Sequence, residues 1–318
     1  MINDTRLWQF IHDRISQSKR VMLLCVLDSK GSSPGRKGFK MAVALDGFFG
    51  SIGGGIMEHK FVEMAKMKLL TVSEDSLIQK QIHSKSAKLN QSGMICSGEQ
   101  TIVLFPLIEK YSVEISAIIH CLENNRNGLL KISHDSISFS EKVEDCFNIV
   151  SEKDWQYQEI LGYKNQLFII GGGHCGLALS QLMKTIGFYI YLFDDRNNLN
   201  TYEENIYVNQ KKTVSDFSEL KELIPSGDNI YIVVMTFGYR TDDLVIRTLI
   251  EKNFKYLGVL GSKSKIDKMF EEWRKDNLPE EQLKKIYSPI GIQIKSQTPE
   301  EIAISIAAEI ISVKNMDN

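Results

Sequence analysis

No stretch of the sequence approaches the roughly 18 consecutive apolar residues that a membrane-spanning helix needs, and no internal repeat or low-complexity tract interrupts its 318 residues. Membrane spans and repeat arrays are therefore not expected. Charge of neither sign is in surplus: 38 Lys and Arg stand against 40 Asp and Glu, for a net charge of −2. A nucleic-acid-binding chain is expected to carry a basic excess, so nucleic acid is not expected as a partner. Cysteine is scarce and unpaired: Cys25, Cys96, Cys121, Cys146 and Cys175 are odd in number, widely spaced and contain no CxxC. That argues against a disulfide framework and a structural zinc site, and most of these thiols read as small buried hydrophobes. Six histidines leave little choice of imidazole for acid–base work. The N-terminal MINDTRLWQF lacks a basic start followed by an apolar stretch, so no signal peptide is expected and a cytoplasmic location is the expectation.

What is present has the make-up of a globular protein, and the length suggests two domains. Leu7, Phe10, Ile11 and Ile15 recur at helical spacing, predicting a helix over about 5–17. Val21 to Leu27 reads as a buried strand that ends in a Gly-, Ser- and Pro-rich loop, Asp28 to Gly38. Lys40–Leu45 is a second strand, Asp46-Gly47 a hairpin signal, and Phe48–Ile52 the return strand. Gly53-Gly54-Gly55 then opens a helical pattern to about Leu70. Residues 71–100 read as a polar stretch, 101–105 as a strand, 111–124 as a helix, and 125–165 as edge strands and a linker. From Leu167 onward apolar strands alternate with helices, which predicts a parallel doubly wound sheet. The last helix begins Thr298-Pro299-Glu300-Glu301, a capping box with Pro at the first helical position. The expected fold class is α/β, with a C-terminal doubly wound parallel sheet and a separate N-terminal α+β domain. The domains are expected at 1–160 and 161–318.

Gly171, Gly173 and Gly176 fit G-x-G-x-x-G, between a strand and a helix. An acid, Asp194, closes the next strand at about the spacing expected in a Rossmann-type dinucleotide fold. In such a turn the glycines let backbone approach a phosphate, the helix N-terminus supplies free N–H groups, and the acid accepts from a ribose hydroxyl. Arg196 nearby keeps a phosphorylated ribose open. His174 and Cys175 sit at the mouth of the turn; His174 suits a phosphate or metal contact, or a plain capping role, while Cys175 reads as a small residue facing the core or, if exposed, as a thiol of lowered pKa. A purely structural role for the glycines, in tight strand–helix packing, stands as the competing reading.

A second cluster lies in the N-terminal half. The loop 31–40 carries Arg36, Lys37 and Lys40, and the Gly53-Gly54-Gly55 turn enters a helix with Glu58 in its first turn. Cations beside glycine-exposed backbone donors suit an anion pocket. Cys96, flanked by Gly93 and Gly98, suits a soft-metal or sulfur-carrying thiolate; an inert turn cysteine is the alternative. Ser262, Lys263 and Lys265 follow a strand's C-terminal end and read as a ligand contact or as a helix cap.

The segments GSSPGRKGFKM (31–41) and GSIGGGIMEHK (50–60), followed by GGGHCG (171–176), FDDR (193–196), YLGVLGSKSK (256–265), SPIGI (288–292) and TPEEIAISIAAEI (298–310), resemble the signatures of the XdhC/CoxI family, the xanthine dehydrogenase accessory factors. The resemblance spans nearly the whole chain, with its motifs in order. It implies a protein that binds the molybdenum cofactor, a molybdopterin carrying a phosphate. Such a protein holds the cofactor while a cysteine desulfurase provides the terminal sulfur, and delivers it to a xanthine dehydrogenase-type molybdoenzyme. It also implies a homodimer that is not itself the oxidoreductase. The cofactor-binding residues expected on this basis are Arg36, Lys40, Gly53, Gly54, Gly55, Cys96, Gly171, Gly173, His174, Gly176 and Asp194. Three positions depart from the family pattern: Gly35 where Arg is common, Ser97 where Gly is usual, and Phe237 where His usually follows Thr. From the residues alone, the alternative is an NAD(P)-dependent oxidoreductase, and a third reading is a non-catalytic adapter.

Overall fold

The computed structural model describes residues 2–71, 74–82, 98–142 and 155–316. The chain divides into two compact units, Met1–Gly162 and Tyr163–Asn318.

The first unit contains α1 (Ile2–Ile15), β1 (Val21–Gly31), β2 (Lys40–Ala44), β3 (Gly47–Gly50), α2 (Gly55–Leu70), β4 (Leu77–Ile82), β5 (Gly98–Leu107), α3 (Ser112–Glu123), β6 (Gly128–Ser133), β7 (Ile137–Ser140) and β8 (Gln156–Leu161). Its main sheet is antiparallel in the order β3-β2-β1-β5-β4. Side chains alternate along a strand, and in β1 both faces are covered. Val21, Leu23, Cys25 and Leu27 join the core under α1 and α3. Met22, Leu24 and Val26 join a second core under α2, built on Met57, Phe61, Ala65 and Leu69. This double burial is why the sequence shows a continuous apolar run there instead of an alternating one. A smaller antiparallel sheet, β7-β6-β8, adds Leu130, Ile132, Ile137, Tyr157 and Leu161 to the α1/α3 core.

β1 continues through the polar residues Asp28–Gly31, past a register shift after Val26, because β5 runs alongside it as far as Gly98. The partner's backbone, not side-chain apolarity, extends the strand. The hairpin turn falls on Leu45-Asp46, one residue before the expected place, since Ala44 pairs with Gly47. The polar stretch after residue 71 holds an edge strand, β4, paired with β5.

The second unit contains β9 (Gln166–Ile170), α4 (His174–Ile186), β10 (Tyr189–Asp194), α5 (Asn200–Glu203), β11 (Gln210–Thr213), α6 (Leu220–Leu223), β12 (Gly227–Val234), α7 (Tyr239–Leu249), β13 (Phe254–Val259), α8 (Lys263–Lys275), α9 (Glu280–Leu283), β14 (Ile286–Tyr287) and α10 (Pro299–Asn315). Its six strands are all parallel in the order β11-β10-β9-β12-β13-β14. The chain winds one way from β9 and then returns to continue the other way from β12, so the order reverses between these two strands. Leu167 and Ile169 pack toward Leu179, Met183, Ile306 and Ile310 of α4 and α10. Phe168 and Ile170 pack toward Val245, Ile246, Met269 and Trp273 of α7 and α8. The expected capping box opens α10: Thr298 Oγ accepts from the Glu301 N–H at 3.2 Å, and the Glu301 carboxylate accepts from the Thr298 N–H at 3.3 Å. β11 gives no apolar signal in the sequence because its four residues, Gln210-Lys211-Lys212-Thr213, are all exposed.

Candidate functional site

In an open parallel sheet, ligands bind beyond the strand C-termini where the strand order reverses. Here that place lies between β9 and β12, and the two chain segments that leave these strands form its walls. On one side runs the turn Gly171–Gly173 into α4. A Cβ on Gly171 would lie 2.2 Å from the Met235 carbonyl oxygen, and one on Gly176 would lie 2.4 Å from the Gly171 carbonyl oxygen. These two glycines are required by close backbone packing inside the protein. Gly173 is different. It caps α4 at φ −72°, an ordinary value for any residue, and a Cβ there would meet nothing within 4 Å. His174, the first residue of α4, is exposed beside it. Cys175 turns half-inward onto the α4/α10 core, and burial, with Glu300 nearby, pushes its thiol up, not down. Of the two readings of Cys175, the small residue facing the core is the one that holds, and the exposed, activated thiol is not.

Asp194 at the end of β10 is 1% exposed. One carboxylate oxygen accepts from the Arg196 backbone N–H at 2.9 Å and from Nε at 2.8 Å; the other accepts from the Gly172 N–H at 2.6 Å and from Arg196 Nη2 at 2.8 Å. Burial alone would raise its pKa, but these donors hold it below the usual carboxylate range. The expected ribose acceptor is thus fully engaged by the protein itself.

The opposite wall is the segment after β12. Asp242, fully buried in α7, accepts from the Thr236 N–H at 3.0 Å and from Thr236 Oγ at 2.6 Å, and Lys265 pairs with its other oxygen. Thr241 Oγ accepts from the Gly238 N–H at 3.2 Å. With its neighbours pinned on both sides, Phe237 projects with 87% of its surface exposed. The Arg196 guanidinium lies 5.7 Å from its ring centroid. Ser262 caps α8 by accepting from the Lys265 N–H at 3.3 Å, so the helix-cap reading holds for Ser262, and Lys265 serves Asp242.

The first unit holds the second cluster. Gln100, buried in β5, binds the loop and the glycine turn together. Its carbonyl accepts from Ser33 Oγ at 2.6 Å and the Gly35 N–H at 3.1 Å, while its amide donates to the Ile52 carbonyl at 3.3 Å. A Cβ on Gly35 would lie 2.1 Å from that same carbonyl oxygen. An arginine therefore has no room at position 35, and the cation of this loop stands at Arg36, whose Nη1 donates to the Gly31 carbonyl at 2.8 Å. Glu58 accepts from Ser51 Oγ at 2.6 Å and from the Ile52 and Gly54 N–H groups at 2.9 and 3.0 Å. A Cβ on Gly53 would lie 2.6 Å from the Gly35 nitrogen, whereas one on Gly54, at φ +77°, would meet nothing within 4 Å. Gly55, also at positive φ, begins α2 at the surface.

Lys40 does not join this cluster. Its ammonium is buried, pairs with Glu159 of β8 and donates to the Gly38 carbonyl at 2.9 Å. Burial would lower its pKa, but Glu159, with Cys25 and Asp4 adding to it, offsets that, so the pKa is raised. The expectation of Lys40 as an anion contact is corrected: its charge is already matched inside the protein. Cys25 beside it is an inert thiol, pushed up to about 12 by burial. Cys96 lies outside the described residues. No group of three or more His, Cys, Asp or Glu suited to a metal ion occurs among the described residues. Gln100 and Phe237 are the site residues that sequence reasoning missed as contributors. A lone Gln in a strand carries no signal, whereas Phe237 is visible as a departure from the family pattern.

Residues 167–310 match the XdhC Rossmann domain, and residues 15–77 match the XdhC and CoxI family. The chain belongs to the XdhC/CoxI family. It is 26% identical over 294 residues to the protein YqeB of Escherichia coli (strain K12), covering 91% of this chain and 43% of that one. It is 27% identical over 152 residues to a probable xanthine dehydrogenase subunit of Bacillus subtilis (strain 168), covering 48% of this chain and 43% of that one. The chain thus spans less than half the length of these curated relatives. A crystal structure described as a xanthine dehydrogenase from Bacillus halodurans superposes with a TM-score of 0.74 at 21% identity, over 99% of this chain and 97% of that one. At that identity the likeness shows a shared fold. No helix among the described residues is long and apolar enough to cross a membrane.

Proposed function

We propose that this XdhC/CoxI protein is an accessory factor that takes the molybdenum cofactor as cargo. It holds the cofactor away from water and oxygen while a cysteine desulfurase renews its terminal sulfur, and passes it to a xanthine dehydrogenase-type molybdoenzyme. On this reading the protein acts in the cytoplasm as a homodimer and has no oxidoreductase activity of its own. The observation that carries the proposal is Gly173. It sits at the sheet's reversal point, where the missing side chain satisfies no packing or φ requirement of the chain itself. Such a glycine is explained by a ligand's phosphate approaching the backbone, with the N–H groups of α4 as donors. Gly54 in the first unit also leaves free space, at a φ of +77° that itself favours glycine. The residues present therefore suit a phosphorylated cargo: Gly173, His174 and Arg196 in the second unit, and Arg36 and Gly54 in the first.

The test is to purify the full chain anaerobically from cells that synthesise the cofactor, then release, oxidise and quantify bound pterin by fluorescence. Pterin approaching one per chain is expected, falling several-fold in the Gly173→Val variant. Wild-type protein that carries no pterin overturns the reading.

A further inference from the structure

The arrangement around Asp194 discriminates between ligands in a way the glycine turn does not. A ribose diol is recognised by donating its hydroxyls to a carboxylate at this position. A carboxylate offers about four lone-pair sites, and here four protein donors occupy them, two from the Arg196 guanidinium. A diol could reach Asp194 only by displacing a bidentate charge-assisted pair, and would return neutral hydrogen bonds in its place. A phosphate faces no such obstacle. Of the five N–H donors of a guanidinium, Arg196 directs one from Nε and one from Nη2 at Asp194. The Nη1 edge takes no part in that pair, and about a third of the side chain is exposed. Asp194 thus fixes Arg196 in place, with the Nη1 edge outside the pair, instead of being left open to a ligand.

Phe237 supplies the second half. It is 87% exposed on the opposite wall, held by the pinned residues on either side, with the Arg196 guanidinium 5.7 Å from its ring centroid. An exposed aromatic face at a binding crevice takes a flat ring by stacking, with little dependence on which ring it is. We propose that Arg196 and Phe237 make the crevice selective for a ligand that stacks a flat aromatic ring on Phe237 and presents a phosphomonoester to Arg196, at the place where a ribose diol would otherwise face Asp194, against a ligand that offers that diol unesterified. This rests on the reading that the crevice holds a cofactor, and it names what that cofactor must carry. Two sources share the chemistry: a phosphorylated pterin and a 2′-phosphorylated adenine nucleotide.

The experiment titrates the full chain with 2′,5′-ADP and with 5′-AMP by calorimetry, and measures retained pterin in the same variants. Wild-type protein is expected to bind 2′,5′-ADP about tenfold tighter than 5′-AMP, a difference of about 1.4 kcal/mol. Arg196→Gln should abolish that preference, and Arg196→Lys, which keeps the charge but not the fork, should retain part of it. Phe237→Ala should weaken both ligands several-fold, and Phe237→Tyr should restore them. Both side chains are partly or largely exposed, and unchanged melting temperatures identify folded variants. If neither nucleotide binds but retained pterin falls in both Arg196→Gln and Phe237→Ala, the inference stands with the pterin as its source. If 2′,5′-ADP is preferred but no pterin is retained, the inference stands and the accessory-factor reading falls. Equal affinity for the two nucleotides, binding of neither nucleotide with no pterin retained, or pterin retained undiminished by both variants without nucleotide binding, overturns it.

Discussion

A methyl group added at Gly171 would press on the Met235 carbonyl, and the residue's φ of +120° lies where L side chains are strained. At Gly176 the added methyl would press on the Gly171 carbonyl. At Gly173 it would touch nothing. Gly171→Ala and Gly176→Ala should therefore each cost about 1–3 kcal/mol of stability, read as a fall in denaturant midpoint. Gly173→Ala should leave the stability within about 0.5 kcal/mol of the parent and lower cofactor retention instead. A stability loss at Gly173 equal to that at Gly171 would mean that all three glycines serve only packing. The motif's position was legible in the sequence, because glycine spacing and the following acid are one-dimensional features. The different duties of its glycines were not, since they depend on what lies across the crevice. The same holds for Asp194. Its place at a strand end was readable, but its engagement by Arg196 is a matter of rotamers. Lys40 shows the opposite failure: a lysine in a Gly- and Ser-rich loop reads as a surface cation, and nothing local announces Glu159 as its partner.

Between elements, the Lys40–Glu159 pair ties β2 of the main sheet to β8 of the small one, with both side chains at least 90% buried. Breaking a buried pair by removing one partner leaves an uncompensated charge and costs about 3–5 kcal/mol, whereas replacing both with apolar groups is often close to neutral. Lys40→Met should thus destabilise the first unit severely, and Lys40→Met combined with Glu159→Leu should recover most of the loss. The pH dependence follows from the raised pKa of Lys40. Its contribution is full below the ordinary lysine value of about 10.4 and is lost only as pH rises through the still higher folded value. The stability difference between the parent and the variant carrying both Lys40→Met and Glu159→Leu should therefore be constant between pH 6 and 9 in urea denaturation; a difference that varies across this range would contradict the assignment. Elements with two buried faces, such as β1, were legible as apolar runs. β4 and β11 were not, because an edge strand with polar side chains owes its existence to the neighbour it pairs with.

For the whole chain, two units with separate cores predict separable folding. Residues 163–318 expressed alone should give a cooperative unfolding transition and native-like dispersion in NMR spectra. A molten, non-cooperative fragment would show that the second core depends on the first unit. The alternation of strands and helices made the parallel sheet readable, since that pattern permits few topologies. The first unit was less readable, because its antiparallel pairings join segments far apart in sequence. There, the counter-charge of Lys40 comes from the last strand of the unit. A gene segment ending just after α2 would encode an ammonium buried without its partner. A cut between the two units, at Gly162–Tyr163, instead leaves that pair whole and passes the first unit on with its charges matched.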